Sequence, residues 1–230
     1  MEISPVYIHT STKKPCISLD EVLRYMGSPS TRETQVISLA LSAMDTALKV
    51  ARCKAAYILC KPRFEKNAVV DLGAFKVQSK AFSLYLQECD FVFMLAATVG
   101  IDLDREIARA SKIAPSKALA LQAAGAAMIE AYCDLLCLEV FEKHAQTQGL
   151  FLKPRFSAGY EDLSLEYQKQ ILQTLDSQRK IGLTLTDAHM MLPSKSVTAF
   201  VGVCRQELCL PNKCTECKNS NCTFRKDDKR

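Results

Sequence analysis

The chain of 230 residues has no tryptophan, three histidines and eight glycines. The histidines, His9, His144 and His189, are scattered, and no serine or cysteine nucleophile is paired with any of them by motif. A self-contained hydrolase therefore has little behind it. Without tryptophan, and without a basic block before the last residues, Arg225-Lys-Asp-Asp-Lys-Arg230, nucleic-acid binding has no support either. The start, Met1-Glu2-Ile3-Ser4-Pro5, lacks a basic region followed by an apolar core, so no secretory signal is expected. No long apolar run is free of polar residues. The best, Ala118 to Phe141, is interrupted by Gln122, Glu130, Asp134 and Glu139, and reads as a buried or amphipathic helix, not a membrane span. Together these absences point to the cytoplasm, with neither nucleic acid nor membrane as partner.

What is present is ordinary globular material: 48% hydrophobic and 24% charged residues, with a formal net charge of +5. The length suits one sizeable domain. Eleven cysteines in a chain of this size, odd in number and without an export signal, read as reduced thiols, some of them placed to hold metal.

Taken in order, Val6 to His9 is short and β-prone. Ser18-Leu-Asp-Glu21 has capping-box spacing and opens a short helix ending near Gly27. A second helix carries Val36, Leu39, Ala43, Met44, Ala47, Leu48 and Ala51 at three- and four-residue steps. Ala56–Cys60 and Ala68–Val77 read as strands, the latter with a bulge at Gly73. A short helix over 79–89, a buried strand over 91–95 and a helix over 103–112 follow. Pro115 starts the longest helix, running to about Gln148; at ~1.5 Å per residue it spans roughly 50 Å. Ala123-Ala-Gly125-Ala-Ala127 in its middle has almost no bulk, which predicts close approach by another backbone or a ligand. Ser164 is expected to cap a helix reaching Ser177 with Leu165, Ile171, Leu172 and Leu175 inward, and Ser196 to Val203 is the returning strand. Strands and helices intersperse without a βαβ repeat, so the fold class is α+β with an antiparallel sheet. One domain, 1–203, is followed by a Cys-rich appendage, 204–230.

Two features carry chemistry. The stretch Arg155-Phe-Ser-Ala-Gly-Tyr160 combines a planar guanidinium suited to a carboxylate, a glycine free to turn through positive φ and a phenol ring. Glu130 and Asp134 lie four apart on the long helix and share a face with Cys133 and Cys137. Such like charges repel unless a cation sits between them, and either Arg155 or a cationic ligand meets that need.

The order Arg155-x-x-x-Gly159-Tyr160, a helix, Ile181-Gly-Leu-Thr-Leu-Thr-Asp187, then Met191-x-Pro193-x-x-Ser196-Val197-Thr198 resembles the C-terminal activation domain of vitamin B12-dependent methionine synthase. That domain is similar in its Arg-Pro-Ala-Pro-Gly-Tyr loop, its Gly-Met-x-Leu-Thr-Glu strand and its Trp-Pro-x-x-Ser-Val corner. Ile129-Glu130-Ala131-Tyr132 also looks like the family's Ala-Glu-Ala-Phe segment, and the strong match covers about 125–203. The resemblance implies a bent antiparallel sheet flanked by helices and a site for S-adenosylmethionine. It implies Glu130 facing the ligand's amine or ribose, Arg155 its carboxylate, the backbone at Ser157 its adenine and Tyr160 its reactive end, with Gly159 in the same site. It also implies an accessory role: reductive reactivation of a cobalamin-carrying partner, a corrinoid protein or truncated methionine synthase, with a flavodoxin- or ferredoxin-type electron donor. A binding module that kept the fold and lost the ligand is the alternative. Three departures stand out: Ala158 replaces the loop's second proline, Leu192 replaces the corner's tryptophan, and the family's early ligand-binding aspartate has no counterpart. With no cobalamin motif of its own, the chain is expected to act on a separate protein, not as a self-sufficient enzyme.

Finally, Cys209-x4-Cys214-x2-Cys217-x4-Cys222 places four thiols in a loop-like segment. A Cys-x2-Cys turn suits tetrahedral zinc or an iron–sulfur cluster.

Overall fold

The computed structural model describes residues 3–10, 13–144 and 149–205, main chain only at 141–144. Its centre is a five-stranded antiparallel sheet in the order β1-β2-β6-β10-β7, built from β1 (Tyr7–His9), β2 (Lys54–Cys60), β6 (Cys89–Thr98), β10 (Ser196–Cys204) and β7 (Phe151–Leu152). The central pair, β6 and β10, is paired from Ser196 opposite Thr98 to Val203 opposite Phe91, with a register shift at Cys204. Both strands read as near-continuous apolar runs because both of their faces are covered. Phe93, Leu95, Ala97, Ala199, Val201 and Val203 point to one core. Val92, Met94, Ala96 and Phe200 point to the other.

Four helices cover the first face: α1 (Leu19–Tyr25), α2 (Thr34–Val50), α4 (Ile101–Ile113) and α5 (Pro115–His144). The α5 helix buries Leu121, Met128, Tyr132 and Leu136 against the sheet and its neighbours. Its bare middle is filled differently from the expectation: a Cβ at Gly125 would lie 2.8 Å from Leu103 Cδ2 and 3.1 Å from the Lys195 stem, so two side chains, not a backbone or a ligand, make the close approach. Covering the second face are a small sheet of β3 (Arg63–Phe64), β4 (Val69–Asp71) and β5 (Lys76–Gln78), the helices α3 (Lys80–Leu86), α6 (Tyr167–Thr174) and α7 (Ser177–Ile181), and the β8–β9 hairpin (Thr184–Leu185 and Met191–Leu192). The antiparallel α+β architecture and the long alanine-rich helix are those expected.

Several local expectations are corrected. Residues 68–77 are not one bulged strand; the chain reverses at Gly73, φ +80°, where Asp71 Oδ1 accepts the Gly73 amide at 2.7 Å, and β4 pairs with β5. A carboxylate binding the backbone two residues on stabilises such a reversal locally, and β-prone residues on both sides conceal it. Ser18 precedes α1 but its side chain makes no cap, because Glu21 turns to Arg24 at 2.5 Å instead. The helix after Ser164 breaks in two at Asp176, φ +47°, and Leu165 is exposed. Among the described residues no helix is long and apolar enough to cross a membrane. The four candidate metal-ligating cysteines, Cys209, Cys214, Cys217 and Cys222, lie outside the described residues.

Candidate functional site

The segment from Lys153 to Asp162 is strung along α3 and fastened at both ends of it. At the C-terminal end, the buried Lys153 donates to the Tyr85 and Gln87 carbonyls at 2.7 and 2.9 Å, satisfying acceptors that a helix leaves open and placing a cation on its negative pole. At the N-terminal end, Asp162 accepts from Ser79 Oγ and from the Lys80 and Ala81 amides, at 2.5, 2.7 and 3.1 Å. Between them, Tyr85 donates its hydroxyl to the Pro154 carbonyl at 2.8 Å, and Phe156 forms a two-way backbone bridge with Phe200 on β10. The Phe156 ring packs with Phe82 and Tyr85, centroids 5.8 and 4.9 Å away. Burial pushes the Tyr85 phenol above its ordinary range, against the Gly202 amide that donates to it, so it stays a neutral donor.

The Ser79 hydroxyl, then the Lys80 and Ala81 amides, hold the Asp162 carboxyl below its usual value. A carboxyl depressed on folding contributes stability above its unfolded pKa, and that contribution fades as pH falls through the folded value. Asp162→Ala is therefore expected to lower the thermal midpoint at neutral pH and to flatten the loss of stability between about pH 5 and pH 3. Thermal melts of both proteins across that range check it; parallel pH profiles would show that the cap contributes nothing.

With the loop so fixed, Arg155 projects toward α5. Its Nη2 donates to Glu130 Oε2 at 2.6 Å and its Nη1 to Asp134 Oδ1 at 2.5 Å. The cation needed between those two acids is thus Arg155 itself. Burial opposes the guanidinium's charge, but the neighbouring Cys133 thiol, Asp134 and Glu130 outweigh it and raise the pKa. Burial also pushes the Cys133 and Cys137 thiols up, against the pull of Arg155, which hydrogen-bonds Cys137 as well, so both remain protonated. Counted together, the two acids and one guanidinium leave a net negative patch with the arginine's remaining donors still available.

Past Phe156 the loop leaves the sheet. Continuing the Phe156–Phe200 register would set Ala158 opposite Thr198, but the chain turns, with the Tyr160 amide on the Ser157 carbonyl at 3.1 Å and Gly159, φ +91°, on the Leu163 carbonyl at 2.8 Å. A side chain at Gly159 is disfavoured by that φ. Alternation along β10 directs the Thr198 N–H and C=O to the same open edge as those of Phe200. Among the described residues they have no partner, nor do the amides of Ser157 and Ala158 or the carbonyls of Ala158 and Gly159. The Thr198 hydroxyl is buried and likewise unpartnered. Two unpaired sets of backbone donors and acceptors therefore flank the point where loop and strand separate. Of these residues Thr198 and Ala158 are buried, Ser157 is half-buried and Gly159 is exposed. Tyr160 stands half-exposed at the turn, edge-on to Phe156 at 6.0 Å.

Of the expected site residues, Glu130 and Arg155 are in direct contact, and Ser157, Gly159 and Tyr160 form one turn immediately beyond. Phe156, Lys153 and Asp162, which hold that turn in place, were not anticipated. Their partners on α3 lie about seventy to eighty residues earlier in the chain, beyond the reach of local spacing.

No family model matches the chain, and no curated protein does. Among solved structures, the α+β fold has a counterpart. It is similar to a crystal structure of the MetH reactivation domain bound to AdoHcy, with a TM-score of 0.59 and 14% identity, covering 86% of this chain and 78% of that one. At that identity the likeness is one of fold, and it is the fold that the Arg155 and Ser196 motifs imply.

Proposed function

We propose that the chain binds S-adenosylmethionine between the Arg155–Tyr160 turn and α5, and serves as an accessory protein in the reactivation of a B12-dependent methyltransferase. The observation that carries the reading is the separation of the turn from β10 beside the Arg155–Glu130 pair, which leaves unpaired backbone groups next to a charged cluster. The residues present fit the ligand. Adenine has a flat donor–acceptor edge that peptide amides and carbonyls at 157–159 and Thr198 complement. The net negative patch of Glu130 and Asp134 suits the ligand's ammonium and sulfonium, and the free N–H groups of Arg155 suit its carboxylate. Tyr160, half-exposed, would lie beside the reactive end. The likeness to a domain described as bound to AdoHcy supports the same ligand class. When bound, the ligand supplies a sulfonium methyl group for transfer to cobalamin on a separate corrinoid protein, with the electron coming from a flavodoxin- or ferredoxin-type donor. The chain's own part is to position that methyl and to dock. In this reading residues 1–203 are the activation-type domain, and Cys209, Cys214, Cys217 and Cys222 hold zinc or an iron–sulfur cluster. Metal and sulfide analysis of anaerobically purified protein is expected to find one of these in about equimolar amount; absence of both rejects the metal site.

A second reading draws on the same contact. Because Arg155 is already bonded to two acids, the domain is self-consistent as a non-catalytic scaffold. Titration calorimetry with S-adenosylmethionine separates the two: saturable one-to-one heat is expected, and none would leave the scaffold.

A further inference from the structure

A second candidate site lies on the far side of α5. Met128 lines a cleft of about 350 Å³, and it sits two positions from Glu130, roughly 200° around the helix. The floor is apolar, made by Pro15, Leu48, Ala51, Cys53 and Met128. Five cations stand around it: Lys13 and Lys14 after β1, Lys49 and Arg52 at the end of α2, and Lys54 at the start of β2. Scattered in the chain, they form no basic block; the fold gathers them.

Two acids among the described residues pair with them, and Glu139 is shared with His9. Asp45 pairs with Lys49 at 2.6 Å, and Glu139 lies 3.9 Å from Lys13 while bonded to His9 at 2.5 Å. Lys14 and Lys54 are exposed and have no partner among the described residues. Arg52 is fixed in place. Its main-chain amide is held by Val99, and its Nη1 donates to the Lys49 and Ala51 carbonyls at 3.2 and 3.0 Å, capping α2 with a cation. Nothing in that arrangement neutralises its charge. Like charges gathered around a low-dielectric floor raise one another's energy, and an anion in the cleft reverses the sign of that cost.

We infer that this cleft is a binding site for a small organic polyanion of nucleotide size, with phosphates or carboxylates on the lysine rim and an apolar body on the Leu48–Met128 floor. A concave, apolar-floored hollow favours a small molecule over the flatter footprint of an acidic protein. The site shares no residue with the turn at Arg155, so its occupancy is independent of the reading above. Titration calorimetry of the full chain with uridine triphosphate, which lacks adenine, tests it. Saturable binding that weakens with added salt is expected. The Lys14→Glu, Lys54→Glu double variant is expected to lower the affinity at least tenfold, by about 1.4 kcal/mol or more, with an unchanged thermal midpoint because neither lysine has a partner to lose. Absence of saturable binding, or equal affinity in the double variant, overturns the assignment. So does a patch that takes poly-glutamate and not uridine triphosphate, which would make it a protein-docking surface.

Discussion

Arg155→Ala is expected to abolish S-adenosylmethionine binding while leaving a folded protein. The guanidinium is the one group in direct contact with both Glu130 and Asp134, at 2.6 and 2.5 Å, and it emerges from the turn that carries the unpaired backbone groups. Without it the two acids face each other four residues apart with no cation between them, and the ligand's carboxylate loses its complement. A charge-assisted bond of this kind contributes roughly 1.5–3 kcal/mol, so affinity is expected to fall by about tenfold to somewhat over a hundredfold. Stability should fall much less. Glu130 and Asp134 are 46% and 70% exposed, so water replaces much of what the arginine provided, and about 1 kcal/mol is the scale of the loss. Calorimetry for binding and urea denaturation for stability separate the two effects. Retained affinity would show that Arg155 is only a structural clasp.

Phe82→Ala is expected to have the largest effect on the fold and to reach the site through it. Phe82 is fully buried, with Phe200 at 4.7 Å and Phe156 at 5.8 Å between ring centroids. Truncating such a ring costs about 3–5 kcal/mol, because the cavity left behind closes only in part. The Phe156 ring loses one of its three ring neighbours, so the turn beyond it, Ser157 to Tyr160, is held less firmly against β10. Urea denaturation should report the loss, and ligand affinity should fall in the same variant. A change below about 1 kcal/mol would mean that the cluster repacks around the gap.

How much of this could be read from the chain depends on the range of the contacts involved. The α5 helix was readable from Pro115 at its start, its alanine-rich run and Gly149 beyond its end, and the structure gives Pro115–His144. The face shared by Glu130 and Asp134 follows from helical geometry alone, and Arg155 was already one of the two cations proposed for it. Each is a statement about neighbours a few residues apart or about charge balance. The hairpin at Gly73 escaped because Val69, Val70 and Val77 favour strand on both sides of it, and a single glycine in such a run reads equally well as a bulge. The two-residue strand β7 is too short to have a period. Most of what positions the site escaped as well: Lys153 and Asp162 reach the two ends of α3 across large sequence separations, and nothing local marks a lysine as buried or an aspartate as a cap for a distant helix. The motif singled out the Arg155–Tyr160 turn, whereas tertiary packing determines where it points.

A crystal structure of the full chain with S-adenosylhomocysteine tests the central claim most directly. Expected is adenine within hydrogen-bond distance of the backbone at 157–159 and Thr198, the amino-acid end on Arg155 and Glu130, and the sulfur beside Tyr160. A ligand bound elsewhere, or a crystal grown at saturating ligand with the turn and the Arg155–Glu130 pair unchanged and empty, would contradict it.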